Sequence, residues 1–368
     1  MDIEADKPRA LIFSLRNIYG RQLFRCPHFE FENIICEVDS ADLLAPKVDP
    51  SSARASFATR LGFHAPVALN PGIHGISVKK RYDILFTVCG HPQDLIMFNA
   101  VSNVKDSCAI SVCLLDELWI REIPHRRYFL RILAKFDVVV LYYSQTVKPL
   151  SEAIGRRCVF MPPGVDTISF CPYPNPPKRV VDVLSIGRRS EITHQKLLKL
   201  VQQDGLFYLH DSIAGIQALN SKEHRALFAN CAKRTRYFIV NPAIIDQPEK
   251  RGNQIEIGNR YFEGAASGAI MVGERPNNEA FQTLFDWPEA VTQLPYNSSD
   301  IDLVMKDLDR NPERQERIRR TGVLEALKRH DWAYRWEQIL EAVGLQPMPA
   351  LQERKDRLRK LAEVMSQH

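Results

Sequence analysis

"NQIEIGNRYFEGAASGAIMVGE", Asn253 to Glu274, sets a helix start, a run of small residues and a short apolar run end to end. Gly258 and Asn259 can cap a helix, Gly264 to Ser267 would let that helix lie close against a sheet, and Gly268 can end it before the next strand. A helix in this setting leaves its first amides without intrahelical partners, and with the helix dipole these favour a phosphate. Glu263 lies five residues after Gly258, just over one turn into the helix. A carboxylate there is placed to accept hydrogen bonds from ribose hydroxyls. The residues alone leave the plainer reading open, a surface charge beside small residues that only pack.

Working outward, the same helix and strand grammar repeats in both directions. Upstream come "VVDVLSIG" (Val180 to Gly187), "THQKLLKLVQQ", "LFYLHDS", a helix near Ser221 to Lys233, and "RYFIVNP". Before these stand "RALIFSL" (Arg9 to Leu15), "ENIICEV" (Glu32 to Val38), "DILFTVC" (Asp83 to Cys89), "CAISVCLL" (Cys108 to Leu115) and "FDVVVLYY" (Phe136 to Tyr143). Runs that are apolar throughout suit strands buried on both faces, as in a parallel sheet covered by helices. The class is α/β, and 368 residues exceed what one core usually supports. Two doubly wound domains are expected, at 1–160 and 180–330.

Between them, "MPPGVDTISFCP" (Met161 to Pro172) and the prolines at 174, 176 and 177 fix φ and work against helix or central strand. Residues 161–179 read either as a stiff connector that holds two lobes across a cleft or as an extended loop. Residues 331–368 read as closing amphipathic helices, with Ser299 and Asp331 as caps in this C-terminal third. The tail carries Leu351, Leu358, Leu361 and Met365 on roughly one face. Its basic residues could touch an anionic membrane surface, against the commoner reading of a solvated helix.

The net charge, 49 basic minus 44 acidic residues, is +5. That suits anionic small molecules and falls short of the excess typical of nucleic-acid binders, so no nucleic-acid partner is expected. No run of 18 apolar residues occurs and the start is acidic, which points to a cytoplasmic protein without a membrane span. The eight cysteines form no C-x-x-C pair and read as reduced thiols. Neither G-x-G-x-x-G nor G-x-x-x-x-G-K-[ST] is present, against a dehydrogenase or an NTPase. "DLD" at Asp307 to Asp309 sits in an amphipathic pattern and reads as surface charge, not a metal site.

"PPGVDTISFCP" resembles the Gly-Val-Asp…Phe-x-Pro linker of retaining GT-B glycosyltransferases, and "GNRYFEGAASGAIMVGE" resembles the glutamate-bearing donor motif of the glycosyl transferases group 1 family. "VDVLSIGRR" and "RRTGVLEALKRHDWAYRWEQIL" are similar to that family's first C-terminal strand and closing helices, so the likeness covers about Val159 to Leu345. It implies two Rossmann-like domains, an N-terminal acceptor lobe and a C-terminal donor lobe, with at least one closing helix returning to the first. It also implies transfer of a sugar from a nucleoside diphosphate to an acceptor hydroxyl. The outcome would be retaining and metal-independent, with the nucleotide sugar as co-substrate and no separate cofactor.

Position by position, the resemblance makes Glu263 the ribose ligand and sets the amides after Gly258, with Asn259, at the diphosphate. Arg188 would face the same phosphates, Arg189 could substitute for the family's nearby lysine, and Lys196 is a further candidate. Arg260 matches a subgroup with Arg three residues before Glu and could add positive charge there. The family's second glutamate falls on Ile255 here, so either Glu256 takes that role or the role is missing. At strand ends of the first lobe, His91, Asp116 and Glu117 are candidates for binding or deprotonating the acceptor, with Arg121 nearby. The departure at Ile255 keeps a second reading in play, a catalytically silent nucleotide-sugar-binding protein or scaffold.

Overall fold

The computed structural model describes residues 8–47, 72–73, 76–212 and 217–367; the acidic start, Met1 to Lys7, lies outside them. The chain divides into two compact units. One comprises Met1–Pro162, Ala218–Ser221 and Trp336–Gln352, the other Pro163–Gln217, Lys222–Arg335 and Glu353–His368.

In the first unit, β1 (Ala10–Phe13), β2 (Ala41–Leu44), β4 (Tyr82–Cys89), β6 (Cys108–Leu115), β7 (Val138–Leu141) and β8 (Arg157–Phe160) form one sheet in the order β2-β1-β4-β6-β7-β8. Every pairing is parallel. A small separate pair joins β3 (Ile76–Ser77) to β5 (Val101–Ser102). The inner strands β1, β4, β6 and β7 are buried on both faces as their unbroken apolar runs require, Phe13, Phe86, Leu114 and Val139 all being inaccessible to solvent. The closing segment from Trp336 belongs to this unit: the Trp336 indole packs edge-on against Phe86 and its Nε1 donates to Asp39 at 2.7 Å.

"ENIICEV" is not a strand but the end of a helix, Cys26–Val38. The reason is visible in its burial. Ten of its residues are buried, Phe29, Phe31, Ile34, Ile35 and Val38 among them, so no polar stripe marks the helical period. Pro27 in its first turn is compatible with helix initiation. The strand comes just after it, at β2.

In the second unit, β9 (Val181–Ser185), β10 (Tyr208–His210), β11 (Thr235–Val240), β12 (Ile270–Gly273) and β13 (Thr292–Gln293) form a parallel sheet in the order β10-β9-β11-β12-β13. In chain order both sheets begin 2-1-3, so in each the direction of winding reverses beside the first strand. Open α/β sheets bind ligands outside the carboxyl ends of their strands at this reversal.

The connector is not uniformly extended. Between its prolines Thr167–Phe170 makes one helical turn, started by the Asp166 side chain, which accepts from the Ser169 amide. Asp331 ties it down: its buried carboxylate accepts from the Thr167 amide and hydroxyl at 3.0 and 2.8 Å and from Arg354 at 2.8 and 2.9 Å. Asp331 also receives the Ala333 amide, the cap expected of it. Asp300, one residue beyond the expected Ser299, precedes the helix Ile301–Asp309. The apolar face of the tail helix, Leu358, Ala362 and Met365, packs on Val323 and Leu327. Among the described residues no helix is long and apolar enough to cross one.

Candidate functional site

Within Asn253 to Glu274 a helix runs from Asn259 to Ser267, with Gly258 at its N-cap and Gly268, in the left-handed region at φ 64°, at its C-cap. Gly258 rests on the end of β11: a Cβ there would stand 3.1 Å from the Asn241 carbonyl oxygen. That close approach sets the helix start beside the carboxyl ends of β9 and β11, at the winding reversal of the second sheet. No side chain caps its N-terminus, and the Tyr261 amide turns back to the Gly258 carbonyl at 3.3 Å.

Three arginines gather at the same edge. Gly187, at φ 92°, turns the chain sharply after β9 and donates its amide to Asp211 at 2.6 Å. Arg188 follows on the exposed side of this turn and pairs with Asp246 at 3.0 and 3.2 Å. The pair is open to water, so a bound phosphate could replace Asp246 at little cost. Arg189 donates to the Asp211 carbonyl at 2.7 Å. Arg260, in the first turn of the Asn259–Ser267 helix, reaches back to the Ile186 carbonyl at the end of β9, 3.3 Å away.

Glu263 sits beneath these groups, its residue only 1% exposed. Arg225 donates to one carboxylate oxygen and Arg260 to the other, the latter at 2.5 Å. Burial alone would raise the Glu263 pKa; the two guanidinium charges and their hydrogen bonds outweigh it and hold the group below the ordinary carboxylate value. Glu256 is as buried as Glu263, with Gln254 donating to it at 2.8 Å and its own carbonyl accepting from the Ala243 amide. Ile255, beside it, is half-buried. Lys196 lies further along its helix, paired with Asp302 at 3.2 Å, and is not brought to the arginines by any observed contact.

In the first unit, Asp116 and Glu117 follow β6 and His91 follows β4, where strand ends were expected to carry them. Asp116 accepts from, or is paired with, the Nε2 of His28 at 2.8 Å, the histidine being buried and the carboxylate partly open. Glu117 is turned to the buried Trp119, whose indole donates to it at 3.1 Å. His91 begins the turn Pro92–Ala100; its amide and that of Gly90 donate to Asp94, which Arg25 holds at 2.6 and 3.0 Å. Arg16 and Ser14, after β1, converge on the buried Glu32.

Sequence reasoning missed Arg225, Asp246 and His28. Each meets its partner across a long separation, 38, 58 and 88 residues, with no local pattern to announce it. Asp309 of "DLD" is exposed, as the surface-charge reading expects, and it accepts from Tyr237, Arg236 and Gln315.

A family model described as glycosyl transferase-like matches residues 203–341. The chain is similar to Anabaena HepE solved with UDP-glucose, at 11% identity over 91% of this chain and 99% of that one, with a TM-score of 0.54. It is also similar to a glycosyltransferase from Rickettsia africae, at 11% identity over 91% and 98% and a TM-score of 0.50. A third likeness, at 8% identity over 92% and 97% with a TM-score of 0.54, is to the N-terminal domain of trehalose-6-phosphate phosphatase from Candida albicans. A search of curated proteins finds no match. The structural likenesses show the fold, the GT-B arrangement of two Rossmann-like domains.

Proposed function

We propose that the chain is a glycosyltransferase that takes its sugar from a nucleoside diphosphate held at the second unit. One observation carries this reading: an uncapped helix start and the guanidinium groups of Arg188 and Arg260 meet at the winding reversal of a parallel sheet. Amides and guanidinium groups together neutralise the charge that develops on a departing diphosphate, and they do so without a metal ion. The family match over 203–341 and the UDP-glucose bound by Anabaena HepE support a nucleotide sugar as donor and make UDP the first nucleotide to try.

The acceptor is assigned to the carboxyl edge of the first sheet. Asp116 is the group there best placed to meet a hydroxyl, because its partly open carboxylate is backed by the buried His28. His91 stands at the end of the neighbouring strand. Glu117, engaged with Trp119, has the more structural part. Retention of configuration rests on the group 1 resemblance alone, and the anomeric proton signal of the first product tests it.

The second reading, a silent nucleotide-sugar-binding protein, is favoured by Ile255 where the family has a glutamate, with Glu256 packed on Gln254 and not turned outward. Turnover separates the two. On incubation with UDP-glucose, UDP-N-acetylglucosamine or GDP-mannose and a panel of acceptors, the transferase releases nucleoside diphosphate. Arg188→Ala should cut that release by about 10- to 100-fold, the loss expected for one charge-assisted hydrogen bond. Nucleotide binding with no release from any donor would favour the silent reading.

A further inference from the structure

We propose a second anion site on this chain, apart from the donor edge: a pocket at the amino edge of the second sheet, where Arg179 and Arg319 take a phosphoryl group, free or carried on a small molecule. The site is independent of the donor reading above.

The pocket has a volume of about 400 Å³, in the range of small-molecule sites. Arg179 enters it from just before β9, Arg236 from the start of β11, and Glu316 and Arg319 from the helix Pro312–Arg329. These are the beginnings of the strands, whereas Gly187 and Arg188 follow the end of β9.

The charges are paired differently here from those of Arg25, Arg225 and Arg354, each of which is buried against a carboxylate. Arg179 donates to two neutral carbonyls, of Thr235 at 2.6 Å and of Ser267 at 3.1 Å. Arg319 donates to the side-chain oxygen of Gln315 at 2.7 Å, and its Nε is buried with no partner among the described residues. Arg236 adds no unmatched charge, since Asp182 and Asp309 accept from it. Glu316, the carboxylate on the wall, accepts from the Tyr173 hydroxyl at 3.1 Å and offsets one guanidinium charge at most. A positive charge is left over.

Burial lowers the pKa of both arginines, that of Arg179 to about 10, and repulsion from Arg319 adds to the shift on Arg179. Holding two cations close together away from water is costly, and an anion shared by both offsets that cost. Of the five N–H groups on each guanidinium, Arg179 uses two and Arg319 one in the hydrogen bonds above, so donors of both remain. A phosphoryl group, with three acceptor oxygens and close to two negative charges, suits a pair of guanidinium groups better than a carboxylate does. The exposed Glu316 can accept from hydroxyl groups on the rest of a phosphate ester.

Calorimetric titration of the full chain with inorganic phosphate and with glycerol 3-phosphate, at constant ionic strength, tests the site. At least one should bind, and tighter binding of the ester or of the free ion tells which source of the phosphoryl group the pocket prefers. For the tighter probe, Arg319→Gln should weaken binding at least tenfold, the loss expected for charge-assisted hydrogen bonds. Glu316→Gln removes the like charge and should tighten binding at least twofold, which a merely structural change would not do. Arg188→Ala, at the donor edge, should alter it less than threefold. Failure of any of these three, or no binding of either probe at about 10 mM, overturns the proposal. A greater loss in Arg188→Ala than in Arg319→Gln would place the phosphate at the donor edge instead. Should Arg319→Gln fail to fold, the other two variants decide the matter.

Discussion

A buried carboxylate that stays ionised records its surroundings in its titration. The Glu263 pKa is lowered from 4.5 in the folded chain, because two guanidinium groups outweigh the burial that would raise it. The folded state therefore releases this proton more readily than the unfolded state does. The resulting stability is complete above about pH 4.5 and drains away as pH falls through the lower folded value. Thermal melts of the wild type and Glu263→Gln should differ most at neutral pH and converge as pH is taken from 5 to 3. A gap that holds constant over that range would mean that the group does not titrate as its partners require. That Glu263 and Arg260 share one helix face was legible in the sequence, because they stand three apart. Arg225 was not, since a charge 38 residues away on a separate helix carries no signal until the fold brings it near.

At the scale of the element, the Asn259–Ser267 helix was the most readable part of the chain, and its small residues show why. Gly264 faces the sheet so closely that a Cβ would stand 2.8 Å from Cγ and 2.9 Å from Sδ of Met271, and 3.3 Å from Phe238. Gly264→Ala gains about 1 kcal/mol of helix propensity but loses about 1–3 kcal/mol to overpacking. Met271 is flexible enough to yield in part, so a net loss of about 1 kcal/mol is expected, seen as a melting temperature lower by about 2–4 °C. No change or a rise would show that the helix does not depend on that close approach. By contrast, Glu32 to Val38, the end of the Cys26–Val38 helix, was misread as a strand because a helix buried nearly all round offers the same apolar run as an inner strand. Its buried Glu32 and His28, four residues apart, were the available sign of a helix face. They gave little warning, since each finds its partner, Ser14 with Arg16 and Asp116 respectively, only in the folded unit.

For the whole molecule, parallel doubly wound sheets were implied by the repeated apolar runs, but not the strand order, and so not where the winding of each sheet reverses. That reversal assigns different residues to different tasks: Gly187, Arg188, Gly258 and Arg260 to the edge of the second sheet, His91 and Asp116 to the edge of the first. It also separates the donor reading from one in which nucleotide binds anywhere basic. Bound nucleotide should slow amide exchange in peptides covering Ile186–Ser190 and Gly258–Glu263, because the turn after β9 and the uncapped helix start supply the N–H donors. Peptides from β4 and β6 in the first unit should exchange unchanged at the same nucleotide concentration. Protection centred on the Cys89–His91 or Leu115–Glu117 segments would place the nucleotide on the other sheet and reverse the assignment. Salt divides the outcomes further: charge-assisted contacts to a pyrophosphate weaken as ionic strength rises, so protection near Arg188, the more exposed arginine, should fade before protection near Arg260, which Glu263 and the Ile186 carbonyl hold in place.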